Sequence, residues 1–420
     1  MRQVFVNNQS AIANSERICA LLGSSTLNTT SQEANLTHPW SVPGTLVNFR
    51  VVLSVAPGSG NSVTITVRKN GSDSAMAITI ANTDTAGVYT GTLSVADGDR
   101  LILHWTTSGT PTVGSATWAI EFDSTNAKEH GYSGICGAVT NSTTQYAGLF
   151  CNEVSWDATN GGTHIEPMAI AATIKKLRFR CSNFVSGGGS LVFCIMLNGV
   201  AQDGSGGTVD TRVTVPTVGS GAGQMVSSSF SLPVVPGDEV YLRKTVSGTV
   251  SVGQTMSVSM LVESTYDGQF QFTCRSTALS SSSTQYTAPD RSGGSSTTES
   301  NSAVVTRGGI TPIVLFKCYV RMDGDAGVGN DYTFSYRRNT ATPSGTPSIQ
   351  LAGAGSGAGI TQGNDQAGVL GIVQDDVFNV RAVPVSLPTS RTMVWSAAVQ
   401  VGTAQVQGGG YPAWGMSLRG

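Results

Sequence analysis

The sequence predicts an all-β chain built as three tandem antiparallel β-sandwich domains of jelly-roll type. Three observations carry that expectation. One stretch of sequence occurs three times at domain-sized spacing, apolar residues alternate with polar ones at the period of a strand, and the composition is rich in glycine and poor in charge. The repeat is most legible at Val95-Ala-Asp-Gly-Asp99-Arg-Leu-Ile-Leu-His-Trp105. It returns as Val234-Val-Pro-Gly-Asp238-Glu-Val-Tyr-Leu-Arg-Lys244 and, more worn, as Ile372-Val-Gln-Asp-Asp376-Val-Phe-Asn-Val-Arg-Ala382. Asp99, Asp238 and Asp376 lie 139 and 138 residues apart, whereas solenoid repeats have periods of roughly 20–50 residues. A step of that length is a whole domain.

Further landmarks keep nearly the same step. Asn70-Gly71 recurs as Asn198-Gly199 and as Asn339-Thr340. Phe49-Arg50-Val51 aligns with Phe179-Arg180-Cys181 and Phe316-Lys317-Cys318, and Ser142-Thr-Thr-Gln-Tyr146 with Ser282-Ser-Thr-Gln-Tyr286. Ile18-Cys19, Ile135-Cys136 and Thr273-Cys274 stand at the three openings. The predicted organisation is an N-terminal arm over 1–17, repeats over 18–124, 132–264 and 269–403, and a C-terminal tail over 404–420. The linkers around 122–131 and 262–268 are short and not proline-rich, which predicts stacked rather than swinging domains.

Within the first repeat the elements follow in order. Leu46, Phe49, Val51 and Leu53 alternate with polar neighbours, and the turn Ala56-Pro-Gly-Ser-Gly-Asn61 ends that strand. Val63, Ile65 and Val67 form the next, and Asn70-Gly71 turns the chain because a type I′ hairpin needs positive φ at both central residues. Strands over Ala75–Ile80, Thr92–Val95, Leu101–Trp105 and Thr117–Phe122 complete the set, with turn signals spaced as in a sandwich. Ile165–Ile174 is the best helical candidate, but its counterpart Trp40–Leu46 is strand-like, so both are assigned to strands.

Composition narrows the function. Charged residues make up only 12 % of the chain and the 24 basic residues nearly balance the 26 acidic ones, which leaves no concentrated basic footprint for nucleic acid. No apolar run reaches membrane-spanning length, so membrane insertion is not expected. Met1–Ser10 lacks the apolar core of a signal peptide, and maturation in a cytoplasm is the expectation.

Catalytic furniture is sparse. His38, His104, His130 and His164 do not repeat, and no Gly-x-Ser-x-Gly elbow is present. Asp323-Gly-Asp-Ala-Gly-Val-Gly-Asn-Asp331 has the look of a calcium loop but not EF-hand spacing, and it aligns with carboxylate-free turns in the other repeats. The glycine run at 352–359 lacks the Gly-Lys-Ser/Thr ending of a phosphate loop. No enzyme, cofactor or metal is expected. Of seven cysteines none forms a Cys-x-x-Cys pair. The ordinary reading makes them buried hydrophobes; the alternative gives Cys19, Cys136 and Cys274, with Tyr146 and Tyr286, contacts between domains or subunits. Trp156, Tyr146, Tyr286 and Tyr411 are also candidates to stack on sugar rings. Tyr411, Trp414, Met416 and Leu418 follow three glycines and read as a docking tail.

Taken together, Phe49-Arg50, Pro57-Gly58, Asn70-Gly71, Asp97-Gly-Asp99 and Trp118, with their counterparts in the later repeats, resemble the β-sandwich domains of structural proteins in tailed bacteriophage virions. The second repeat lacks the final tryptophan and the third retains Trp395. The resemblance implies a non-enzymatic protein of the virion surface that decorates the capsid or forms a collar or tail fibre. It also implies a homotrimer partnered by other virion proteins and assembled in a host cytoplasm. The alternatives are a carbohydrate-binding adhesin that attaches to a host-surface glycan and an accessory module of an enzyme.

Overall fold

The computed structural model describes residues 2–9, 14–22, 27–112, 114–140, 144–150, 156–158, 164–181, 188–216, 225–250, 254–289, 295–299, 306–307, 309–353 and 362–402. They form six antiparallel sheets in three facing pairs. Unit 1 consists of Arg2–Gln9, Arg17–Cys19, Gly44–Leu53, Gly58–Lys69, Ser72–Asn82, Ala86–Val95, Arg100–Ser108 and Ala116–Ser124. Numbered one to eight along the chain, these order as 1-8-3-6 in one sheet and 2-7-4-5 in the other, which is a jelly roll.

Unit 2 repeats that order with Glu129–Val139, Thr144–Ala147, Ala172–Cys181, Ser190–Leu197, Val200–Ala201, Met225–Val234, Glu239–Ser247 and Gln254–Ser264. Unit 3 repeats it with Gln269–Arg275, Gln285–Thr287, Ile313–Met322, Asp331–Arg338, Ser348–Ala352, Gln362–Ile372, Val377–Val385 and Met393–Val401. Between its second and third strands each unit adds a two-residue strand on the seventh: His38–Pro39, Glu166–Pro167 and Thr306–Arg307.

The third strand shows why the alternation yields a sandwich. In Gly44–Leu53 the side chains of Leu46, Phe49, Val51 and Leu53 are buried inward, and a bulge at Asn48, whose φ is 51°, carries the pattern across the break between Leu46 and Phe49. Unit 3 places a bulge at Lys317, φ 48°, in its own third strand. Trp40 packs edge-on against Phe5 and Phe122 at centroid distances of 5.5 and 5.0 Å, and Trp118 against Trp105 at 6.0 Å. In unit 3 the Trp395 indole instead donates to the Tyr336 hydroxyl at 2.8 Å.

Three sequence alignments shift once the register is known. Arg2–Gln9 is not an arm outside the repeat: it pairs with Ala116–Ser124 as Glu129–Val139 pairs with Gln254–Ser264 and Gln269–Arg275 with Met393–Val401. Unit 1 therefore begins at its first described residue. Consequently Cys19 is not the counterpart of Cys136 and Cys274. Those two lie on first strands, whereas Cys19 lies on a second strand paired with Arg100–Ser108. The third alignment to move is that of the phenylalanines. Val51 pairs with Trp118, Phe179 with Val258 and Val320 with Trp395, so Val51, Phe179 and Val320 are the equivalent residues. Cys318 follows its bulge directly while Cys181 lies five residues beyond Lys176, the first paired residue after the bulge in unit 2. Matching by residue type alone misses a bulge, because one extra residue slides the alignment without changing its appearance.

Candidate functional site at the repeat junctions

What the three units share most closely is a clasp that the sequence shows only as two separate turns. In unit 1 the Asn70 side-chain amide donates to Asp99 Oδ1 at 2.7 Å, its carbonyl oxygen accepts from the Arg100 amide at 2.9 Å, and the Ala96 amide donates to Asp99 Oδ2 at 2.8 Å. Unit 2 builds the same three bonds with Asn198, Asp238, Glu239 and Val235, each at 2.8 Å. Unit 3 builds them with Asn339, Asp376, Val377 and Val373 at 2.6, 2.9 and 2.9 Å. Asn70, Asn198 and Asn339 all hold positive φ, of 56°, 51° and 50°, which asparagine tolerates better than other residues with a Cβ. Burial pushes the Asp99 carboxyl up, but the Ala96 amide, Asn70 and Lys69 outweigh it and hold it below the usual carboxylate range.

The clasped turn and the two-residue strand beside it reach across to the neighbouring unit. His38–Pro39 packs on the first, third and eighth strands of unit 2, and Glu166–Pro167 on the third and eighth strands of unit 3. Thr306–Arg307 returns to the first and eighth strands of unit 1. Unit 1 thus holds unit 2, unit 2 holds unit 3, and unit 3 holds unit 1. The chain closes into a ring of three.

Ion pairs follow the same circuit. Asp97 in the unit 1 turn binds Lys176 and Arg178 of unit 2 at 2.5 and 2.6 Å. Glu239, which opens the seventh strand of unit 2 directly after its turn, binds Arg321 of unit 3 at 2.7 Å, and Asp375 in the unit 3 turn binds Arg50 of unit 1. Burial raises Asp97, yet Lys176 and Arg178 more than offset it, and the carboxyl sits below its ordinary range.

Each junction is sealed differently. At the first, Ser41 and Ser259 share a hydroxyl hydrogen bond at 2.5 Å, His38 Nδ1 meets Ser133 Oγ at 3.0 Å, and Leu261 of unit 2 joins the unit 1 core. At the second, the Ala169 amide donates to Gln271 Oε1 at 3.0 Å and the Gln271 amide to the Tyr132 hydroxyl at 2.9 Å. At the third, the fully buried Glu121 accepts from the Thr311 amide at 2.6 Å, from its hydroxyl at 2.8 Å and from Arg2 at 3.2 Å. Asn48 adds a bond to Glu121 at 2.6 Å. Val4, Val6 and Ala119 of unit 1 there join the cluster that fills units 2 and 3. The first strands of all three units meet at a half-open cavity of about 60 Å³ lined by Gln3, Phe5, Tyr132, Phe270, Gln271 and Phe272.

Two histidines lie buried at these seams. Burial, assisted by the charge of Arg180 and opposed by a backbone hydrogen bond with Leu22, lowers His38 to about 4. Burial lowers His130, beside Ser264 and the Phe270 ring, to about 3. Both are neutral at pH 7 in the folded chain.

The residues singled out in the sequence fall as follows. Cys19, Cys136 and Cys274 are buried thiols, Cys136 and Cys274 within the cluster shared by units 2 and 3, and no disulfide forms among the described residues. Cys19 lies inside the unit 1 core, where burial, opposed by a hydrogen bond from the Trp105 indole at 2.9 Å, pushes its thiol up to about 12. Tyr146 and Tyr286 occupy equivalent second-strand positions, paired with Arg243 and Arg381 of their own units, and Tyr146 tilts against Tyr241 at 5.9 Å. Trp156 is buried against Phe193 rather than exposed. The neighbouring glutamines do the local work: Gln145 accepts from Lys244, and Gln285 accepts from the Ser280 amide at 2.5 Å. Tyr411, Trp414, Met416 and Leu418 lie outside the described residues. Within 323–331, Asp325 accepts from the Gly327 amide at 2.7 Å and Asp323 from the Thr392 amide at 3.2 Å. No group of three metal-ligating side chains occurs among the described residues.

No family model and no curated protein matches this chain. Solved structures similar over its length include the infectious bursal disease virus VP2 subviral particle, at 10 % identity and a TM-score of 0.18, covering 96 % of this chain and 80 % of that one. The structure of the Gx strain of the same virus gives 10 % identity and a TM-score of 0.18, covering 95 % and 78 %.

Proposed function

We propose that this protein is a non-enzymatic structural component of a bacteriophage virion, carried on the particle surface as a capsid-decorating, collar or fibre element. Its threefold character resides within one chain. The closed ring supports this reading: three jelly rolls direct their carboxylates, two-residue strands and sheet faces at one another. A low-charge surface of Gly, Ser and Thr and the motif resemblance point the same way. Within one copy the ring already arranges three jelly rolls about a common centre. The second reading, a carbohydrate-binding adhesin, loses Trp156, which is buried against Phe193, while Tyr146 tilts against Tyr241 and Tyr266 stands 61 % exposed.

The test is to locate the chain on particles. Gold-labelled antibody against the purified protein should decorate intact virions from a producing culture, at constant stoichiometry to the major shell protein. Electron-microscopic averages of the isolated 43.4 kDa chain should show three lobes around a closed centre. Labelling confined to the soluble fraction while particles are abundant would overturn the reading.

A further inference from the structure

The sixth strands, Ala86–Val95, Met225–Val234 and Gln362–Ile372, each end the 1-8-3-6 sheet of their unit. An edge strand offers unpaired backbone donors and acceptors, which proteins normally blunt with charge, proline or a covering loop. Unit 3 does so: Asp365 lies in its edge and accepts from the Ala367, Gly368 and Ser348 amides, while Gly345 accepts from the Val369 amide at 2.8 Å. Unit 2 carries Pro233 at the clasp end of its edge, while Met225–Leu232 before it bears neither charge nor proline. In unit 1, among the described residues, Lys69 Nζ covers the end beside the clasp on the Ser94 carbonyl at 3.0 Å, and the ladder to the third strand slips by one residue at Thr90–Gly91. The remainder, Ala86 to Thr92, contains no charged residue and no proline. Every residue there is exposed or half-exposed, with Val88 43 % exposed.

We infer that this edge pairs with the same edge of a second copy of the chain, joining two four-stranded sheets across a twofold axis. The strand is suited to its own copy. Run antiparallel and centred on Thr90, it sets Thr90 against Thr90 and Val88 against Thr92 on the outward face, pairs of small or β-branched residues that suit a sheet. On the other face Tyr89 stands opposite Gly91, whose open side the Tyr89 ring of its own strand already covers, so the two tyrosine rings lie side by side across the joint. A charged edge would repel its own copy, and this one bears no charge to do so or to select an oppositely charged stranger. A joint of one strand per copy falls below the roughly 1,200 Å² of a standard interface. The pairing is therefore weak in dilute solution and gains strength where many copies are held side by side.

The experiment uses the intact chain. Sedimentation velocity from about 5 to about 300 µM should show a monomer passing to a dimer, since an association of this size has a dissociation constant in the micromolar range or above. Val88→Lys should hold the chain monomeric throughout, whereas Met225→Lys, on the unit 2 edge, should leave the transition in place. Thr90→Cys should form an oxidised dimer on mild oxidation, and Thr79→Cys, exposed on the other sheet, should not. Thr90→Cys also keeps the test open should Val88→Lys fail to fold. A wild-type chain that stays monomeric over the whole range, a dimer that survives Val88→Lys, or cross-linking of Thr79→Cys equal to that of Thr90→Cys would each overturn the inference.

Discussion

Mild acid should loosen the ring, and the amount can be worked out from the two buried histidines. An unfolded histidine titrates near 6.5, whereas His38 and His130 titrate at about 4 and about 3 in the folded chain. Below pH 6.5 the unfolded state takes up protons that the folded state refuses, so stability is full above that pH and falls as the pH drops toward the folded values. At pH 5 each histidine lies about 1.5 units below its unfolded pKa and is still neutral when folded. Each then costs about 2 kcal/mol, or about 4 kcal/mol together, at 1.36 kcal/mol per unit. Carboxylates do not blur this window: Asp97 and Asp99 are held below the ordinary range, and their contribution is lost only in stronger acid. The assay is urea unfolding at pH 7 and pH 5 for the wild type, His38→Asn, His130→Gln and the double variant. Each single variant should remove about half of the pH-dependent loss. A double variant with the wild-type pH dependence would refute the reasoning.

Three further outcomes follow from the same geometry. Asn198→Ala removes two hydrogen bonds of the second clasp and leaves Asp238 short of a donor, which should cost about 1–3 kcal/mol, read as a lowered unfolding midpoint; Asn198→Asp should not rescue it, because two carboxylates then face each other. Glu121→Ala strips the third junction of an acceptor shared by Arg2, Asn48 and Thr311, and leaving the Thr311 and Asn48 donors without it costs about 1–3 kcal/mol. Hydrogen exchange should then quicken in the first strand and around Thr311 before the core of unit 2 changes. Cys19 should resist a thiol reagent at pH 8 in the native chain and react at once in denaturant, since its thiol is raised to about 12 by burial.

The sandwich fold was legible because burial on one face of a strand imprints a period of two, and because repeats of the Asn-Gly and Asp turns mark where hairpins close. The clasp was half legible. Asn70 and Asp99 each read as a turn residue, and nothing local says that two turns from different parts of a jelly roll meet at one end of it. The ring was not legible, because its contacts are between residues that look ordinary where they stand: Ser41 and Ser259, Thr311 and Glu121, Gln271 and Tyr132. Cys19, Cys136 and Cys274 drew attention by their spacing, but burial, not spacing, decides what a thiol can do. The first strand was misread as an arm because a stretch as short as Arg2–Gln9, with Asn7, Asn8 and Gln9 at its end, gives little alternation until its partner at Ala116–Ser124 is known.

The single-chain ring also changes what mutation can explore. In an assembly of three identical chains every interface is the same gene product seen three times, so a substitution useful at one contact is forced on all of them. Here the copies are joined in one reading frame, and each seam has been free to drift by itself. The result is visible in the molecule: serine hydroxyls and a histidine at one seam, a glutamine and a tyrosine at the next, a buried carboxylate with its arginine at the last. The order of the subunits is thereby written into the covalent chain, and an object that looks threefold from a distance can present three different sides.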